Sequence, residues 1–96
     1  MSFEEFWQTI ANFGEEGRRI PGKPHYFYKL VLDGNEEKLF FSSDNARRPF
    51  SVSKEKSREK VERLNNPDGG IGIFVRDNGW FCAIYKDVRS LLELSG

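Results

Sequence analysis

His25-Tyr26-Phe27-Tyr28-Lys29-Leu30-Val31-Leu32-Asp33, then Gly34-Asn35-Glu36-Glu37, then Lys38-Leu39-Phe40-Phe41-Ser42, is the stretch whose reading decides the fold. Side chains alternate between the two faces of a strand. In residues 25–33 that alternation puts Tyr26, Tyr28, Leu30 and Leu32 on one face and Phe27, Lys29 and Val31 on the other. After the turn at residues 34–37, Leu39 and Phe41 share a face in residues 38–42. Two alternating runs around a Gly-Asn turn predict a β-hairpin.

Working outward toward the N-terminus, residues 2–13 predict a helix. Ser2 is a good N-cap, and Glu4 and Glu5 sit in the first turn, where the positive end of the helix dipole favours acids. Phe3, Phe6, Trp7, Ile10 and Phe13 recur at helical spacing and form one apolar stripe. Gly14 and Gly17 end the helix. Residues 18–24 contain Pro21, Gly22 and Pro24 and are expected to be a loop.

Toward the C-terminus, residues 43–49 read as polar and irregular. Ser53 or Ser51 caps a helix over residues 53–64, whose thin apolar stripe (Val61 and Leu64, with Ser57 one turn earlier) places it at the surface. Residues 65–70 break the chain. Residues 71–76 and 80–85 are expected to be two strands around Asp77-Asn78-Gly79, because Asn-Gly favours a tight hairpin turn. Asp87 is expected to cap a final helix with Val88, Leu91 and Leu92 facing inward. The expected fold is a single α+β domain over residues 1–96, in the order α-β-β-α-β-β-α, with an antiparallel four-stranded sheet packed by helices. Both faces of residues 26–31 and 80–85 carry apolar side chains, so either helices cover both sheet faces or one face joins a second subunit.

A chain of 96 residues supports one modest core, and nine Phe, three Tyr and two Trp supply large side chains for it. Cys82 is a single cysteine and gives no internal disulfide. The first residues, Met1-Ser2-Phe3-Glu4-Glu5, carry acids where a signal peptide has a basic region, and no apolar run reaches the ~20 residues of a membrane span. A cytoplasmic protein with no membrane association is expected.

The total charge is zero, yet residues 44–64 hold seven Lys/Arg against four acids, a surplus of three that the rest of the chain offsets. Arg47-Arg48-Pro49-Phe50 precedes the helix, and arginine forks suit phosphate oxygens. On the helix, Lys56, Lys60 and Arg63 fall at i, i+4, i+7, and Lys54 and Arg58 form a second ridge. Arg18, Arg19 and Lys23 lie in the earlier loop, and Tyr26, Phe40 and Phe50 are aromatics that can stack on bases where exposed. Three interleaved acids also allow a plainly solvated helix, and a neutral chain is unusual for a nucleic-acid module.

Other chemistry finds less support. One His and one Cys do not make a zinc site without carboxylates. Cys82 and His25 could form a nucleophilic pair if they met on neighbouring strands, but Cys82 between Phe81 and Ala83 reads as a small buried hydrophobe. Gly69-Gly70-Ile71-Gly72 precedes an expected strand and offers an anion no helix N-terminus. An acidic metal site would require two or three of Asp33, Glu36, Glu37, Asp44 and Asp77 to converge with a lysine and a metal. No catalytic residue, metal ligand or cofactor is assigned, and no motif is specific enough to name a family. The expected function is a small non-catalytic binding module in which Arg47, Arg48, Lys54, Lys56, Arg58 and Lys60 contact nucleic-acid phosphates or an acidic protein surface. The alternative is a structural or interaction protein (a self-associating accessory, immunity or adaptor domain, a homodimer for example) using an aromatic sheet face with Phe74 and Trp80. Phe3, Trp7 and Tyr85 are further aromatics for either core or interface. A metal-dependent or thiol enzyme ranks third.

Overall fold

A computed structural model describes residues 1–45, 49–66 and 79–95. Its elements are helix α1 (Phe3–Ala11), strands β1 (Arg18–Ile20), β2 (Lys23–Asp33), β3 (Glu36–Ser43) and β4 (Phe50–Ser53), helix α2 (Lys54–Asn65) and helix α3 (Gly79–Ser95). The α+β class and the antiparallel sheet of four strands are as the sequence predicts, with the strands in spatial order β1-β2-β3-β4.

α1 begins with a full capping box. The Glu5 amide donates to the Ser2 hydroxyl (3.1 Å) and the Ser2 amide donates to the Glu5 carboxylate (3.0 Å). Its predicted stripe is buried at Phe3, Phe6, Trp7 and Ile10. The chain then swings through Gly17, whose φ of 69° and ψ of −157° belong to a region that only glycine adopts without strain. A Cβ there would lie 2.5 Å from the Tyr28 carbonyl oxygen, so this close approach also needs glycine.

The hairpin forms with Tyr28 opposite Phe41 and Leu30 opposite Leu39. Gly34, at φ 66°, opens a two-residue turn, because Asp33 pairs directly with Glu36. The outer strands come from segments that read otherwise. Residues 18–20 form β1 instead of the start of a loop, and the turn to β2 is confined to Pro21 and Gly22. Proline presets the first turn position and Gly22 takes the positive φ (82°). Pro24 is tolerated because the β1–β2 register slips between Arg19 and Ile20, where no ladder bond needs its missing N–H. Phe50–Ser53 forms β4, with Val52 opposite Leu39.

The largest correction concerns the expected second hairpin. Residues 71–76 lie outside the described residues, and residues 80–85 are the first turns of α3 and not a strand. Phe81, Ile84, Tyr85 and Val88 are buried at spacings of three and four, the helical period. A six-residue apolar window fits both periods, and the Asn-Gly signal tipped it the wrong way. Asp87 is accordingly inside α3 and not a cap.

Even-numbered β2 residues and odd-numbered β3 residues face the helices. Tyr28, Leu39 and Phe41 join Phe6, Ile10, Val61, Phe81, Ile84 and Val88 in one core. Burying Phe6 completely makes a Phe6→Ala change worth about 3–5 kcal/mol. The opposite sheet face carries Phe27 and Phe40, with Arg19 5.5 Å from the first ring centroid and Lys29 5.8 Å from the second. Neither phenylalanine belongs to the core.

Candidate nucleic-acid interface

Ser53 caps α2 as predicted, its hydroxyl accepting from the Lys56 amide at 3.2 Å. Ser57 and Val61 turn inward, and this fixes where every cation on the helix points. Lys54 and Arg58 fall on the α1 side. The Lys54 ammonium lies 3.8 Å from Glu37 and 5.6 Å from the Trp7 ring centroid. The Arg58 guanidinium lies 3.5 Å from Glu4, 3.8 Å from Glu55 and 4.6 Å from the Phe3 ring centroid. These partly exposed pairs each contribute roughly 0–1 kcal/mol, but they neutralise that ridge locally.

The second ridge runs the other way. Lys60 sits 5.9 Å from the Trp80 ring centroid and 5.7 Å from that of Phe81, at the start of α3. Partial burial holds its ammonium pKa below the ordinary lysine value, and the neighbouring positive charges of Lys56 and Arg63 push the same way. Lys56 is exposed on the same side, one turn earlier. At Lys60 the charges of Cys82 and Glu59 act more weakly in the opposite sense.

Beside this ridge lies an aromatic cluster. Phe41 is its centre, stacked by Tyr26 (centroids 5.8 Å, 15° between planes) and touched by Phe50 and Trp80, each at 5.5 Å. Phe50 meets Trp80 edge-on at 4.8 Å. Tyr26 and Phe50 remain 42% and 43% exposed, so two rings of the cluster face solvent. The placement follows from register: Phe50 pairs with Phe41, so both point to the helix side, as Tyr26 does two residues before Tyr28. Phe40, the third predicted stacking residue, faces the opposite side of the sheet with Phe27.

A polar network invisible to the sequence reading anchors α3. The Arg18 guanidinium donates two hydrogen bonds to the Asp87 carboxylate (2.7 and 3.0 Å), and the buried Tyr28 hydroxyl donates a third (2.7 Å). The Asp87 side chain is 6% exposed and that of Arg18 30%. Burial, and then the hydrogen bond to a carboxylate, push the Tyr28 phenol far above its ordinary value. Hydrogen bonding to Asp87 likewise raises Arg18. Had residues 80–92 been read as a helix, Asp87 between Ile84 and Leu91 would have stood out as an acid on an apolar face, which requires a buried cation.

The remaining expected groups separate. Arg47, Arg48, Phe74 and Asp77 lie outside the described residues. Arg18 is committed to Asp87, and Arg19 bonds Asp44 at 3.0 Å. Lys23 lies beside Tyr26 and Trp80. Phe3, Trp7 and Tyr85 are core residues. His25 is exposed, 3.6 Å from Asp44, on the sheet face away from α3, whereas Cys82 is buried on α3. The two never form the nucleophilic pair, and burial pushes the Cys82 thiol up, away from the reactive thiolate. Among the described residues no three His, Cys, Asp or Glu side chains converge as metal ligands, and no helix is long and apolar enough to cross a membrane. Set against family models, curated proteins and solved structures, the chain matches none.

Proposed function

We propose that this protein is a non-catalytic binding module that contacts nucleic-acid phosphates through the Lys56–Lys60 ridge of α2. One observation supports the reading: exposed Lys56 and part-buried Lys60 lie on the side of α2 that faces Trp80, beside an aromatic cluster whose Tyr26 and Phe50 rings are partly exposed. Releasing counterions from the nucleic acid would drive association.

The test is fluorescence anisotropy of a labelled mixed-sequence oligonucleotide titrated with protein at 50 and 200 mM salt. Two phosphate contacts on a single strand give a log–log salt slope of about −1.4, which weakens binding roughly sevenfold over that range. Affinity that stays constant between the two salts contradicts the proposal.

A further inference from the structure

A separate cleft of about 580 Å³ lies between one side of α3 and the turn that joins β1 to β2. Ala83, Lys86, Asp87, Leu91 and Leu94 line it from α3 at spacings of three and four, which is one face of a helix. Ile20, Pro21 and Lys23 stand opposite. Among the described residues no aromatic ring borders it, so its apolar walls are aliphatic. Its charges are unevenly placed. Asp87 is already held by Arg18 and Tyr28, and the Arg18–Asp87 pair adds no net charge. Lys23 and Lys86 are exposed, and among the described residues neither meets a carboxylate. Lys23 shares Ala83 with the smaller cleft at Trp80, which puts it at the N-terminal end of the α3 face, and Lys86 follows about one turn later. Leu94, 84% exposed, stands about 12 Å beyond Lys86 along the helix axis, with half-buried Leu91 between them. The cleft therefore has a cationic end and an aliphatic end.

From this geometry we infer that the α3 cleft takes a small monocarboxylate with a linear aliphatic tail, its head between Lys23 and Lys86 and its tail along Leu91 and Leu94. No residue of this site belongs to the Lys56–Lys60 ridge, so either reading can fail alone. The volume and the mostly apolar lining with a few polar groups are those of a small-molecule site. The two ammonium groups complement one anionic head and fix which way the ligand lies. Aliphatic walls strengthen binding by up to about fourfold for each methylene they bury, and they give a nucleobase no face to stack on. An acidic peptide would satisfy Lys23 and Lys86 but would leave Leu91 and Leu94 without an apolar partner.

Three probes separate head from tail: octanoate, butanoate with a tail four methylenes shorter, and uncharged octanol. Each is titrated into the isotope-labelled full chain, and amide and methyl NMR shifts report both affinity and place. We expect octanoate to saturate with a Kd below about 1 mM and to shift Ile20, Leu91 and Leu94. It should bind at least about tenfold tighter than butanoate and about fivefold tighter than octanol. Lys23→Gln/Lys86→Gln changes two exposed side chains, which leaves the fold intact, and should erase the preference over octanol while octanol binds as before. Leu94→Ser, also at an exposed position, should weaken octanoate about threefold. Equal affinity for octanoate and butanoate, or for octanoate and octanol, overturns the site. Shifts centred on Tyr26 and Trp80 in place of Leu91 and Leu94 overturn it too, as does a Kd weaker than about 1 mM. Displacement of octanoate by polyglutamate at equal charge concentration also overturns it, in favour of an acidic protein.

Discussion

The two ridges of α2 are built from the same residue types on one 12-residue helix, yet their surroundings are opposite. Lys54 and Arg58 look toward α1 and the end of β3, where Glu4 and Glu37 meet them and the rings of Phe3 and Trp7 lie beneath. Lys56 and Lys60 lie on the side toward α3, where Lys60 sits over the half-buried Trp80 and the buried Phe81. The first ridge is part of the scaffold, and the second is the one proposed to meet a partner. Neither charge count nor helical periodicity separates them; the difference lies in what the fold sets against each side.

That contrast depends on α3 holding Trp80 in place, so the largest effect is expected where α3 is anchored. Arg18→Ala leaves the Asp87 carboxylate buried with only the Tyr28 hydroxyl as partner, and should cost about 3 kcal/mol. Thermal melting would report this as a drop of roughly 12–24 °C. Arg19→Ala is the matched control. Its pair with Asp44 is about half exposed, and its loss should cost under about 1 kcal/mol. Equal losses for the two arginines would mean that Asp87 is not the anchor.

A smaller effect separates the ridges by stability. Arg58→Ala removes the guanidinium from over the Phe3 ring and its exposed pair with Glu4, worth about 1 kcal/mol together. Urea denaturation should register that loss, while oligonucleotide affinity stays within about twofold. Lys56→Ala should do the reverse, weakening binding without shifting the urea midpoint.

The smallest effect is in pH dependence. Lys60 is depressed in the folded chain, so between its folded value and the ordinary lysine value of about 10.4 the unfolded chain binds more protons. Stability gains from Lys60 as pH rises through that window, and binding weakens as its charge is lost. Cys82 and Tyr28 have the opposite sign. Both are raised in the folded state, so each contributes a stability loss as pH climbs past its unfolded value, about 8.5 and 10 respectively. The difference between wild type and Lys60→Gln isolates the lysine. A difference that does not change between pH 8 and 10.5 would show Lys60 to be unperturbed.

How much of this was legible in the chain depended on whether the signal was local. Ser2 with Glu5, the Phe3-to-Ile10 stripe, the hairpin around Gly34 and the Ser53 cap are encoded within a few residues, and each formed as read. β1 and β4 are three and four residues long and show no period of their own; only pairing with the long hairpin makes them strands. Residues 80–85 were too short a window to distinguish helix from strand without the stripe continuing through Val88. Asp87 finds Arg18 across 69 positions, a link that no local pattern contains. The ridges themselves were readable at i, i+4, i+7. That Glu4, 54 residues from Arg58, would neutralise one of them was not.

The most direct test therefore compares the ridges in one experiment. The Lys56→Gln/Lys60→Gln and Lys54→Gln/Arg58→Gln variants remove the same charge from the same helix. Oligonucleotide anisotropy across a salt series should show the first variant bound about tenfold more weakly, with a slope reduced by about 1.4, and the second close to wild type. Equal losses in both variants, or none in either, would contradict the division of α2 into a scaffold ridge and a binding ridge.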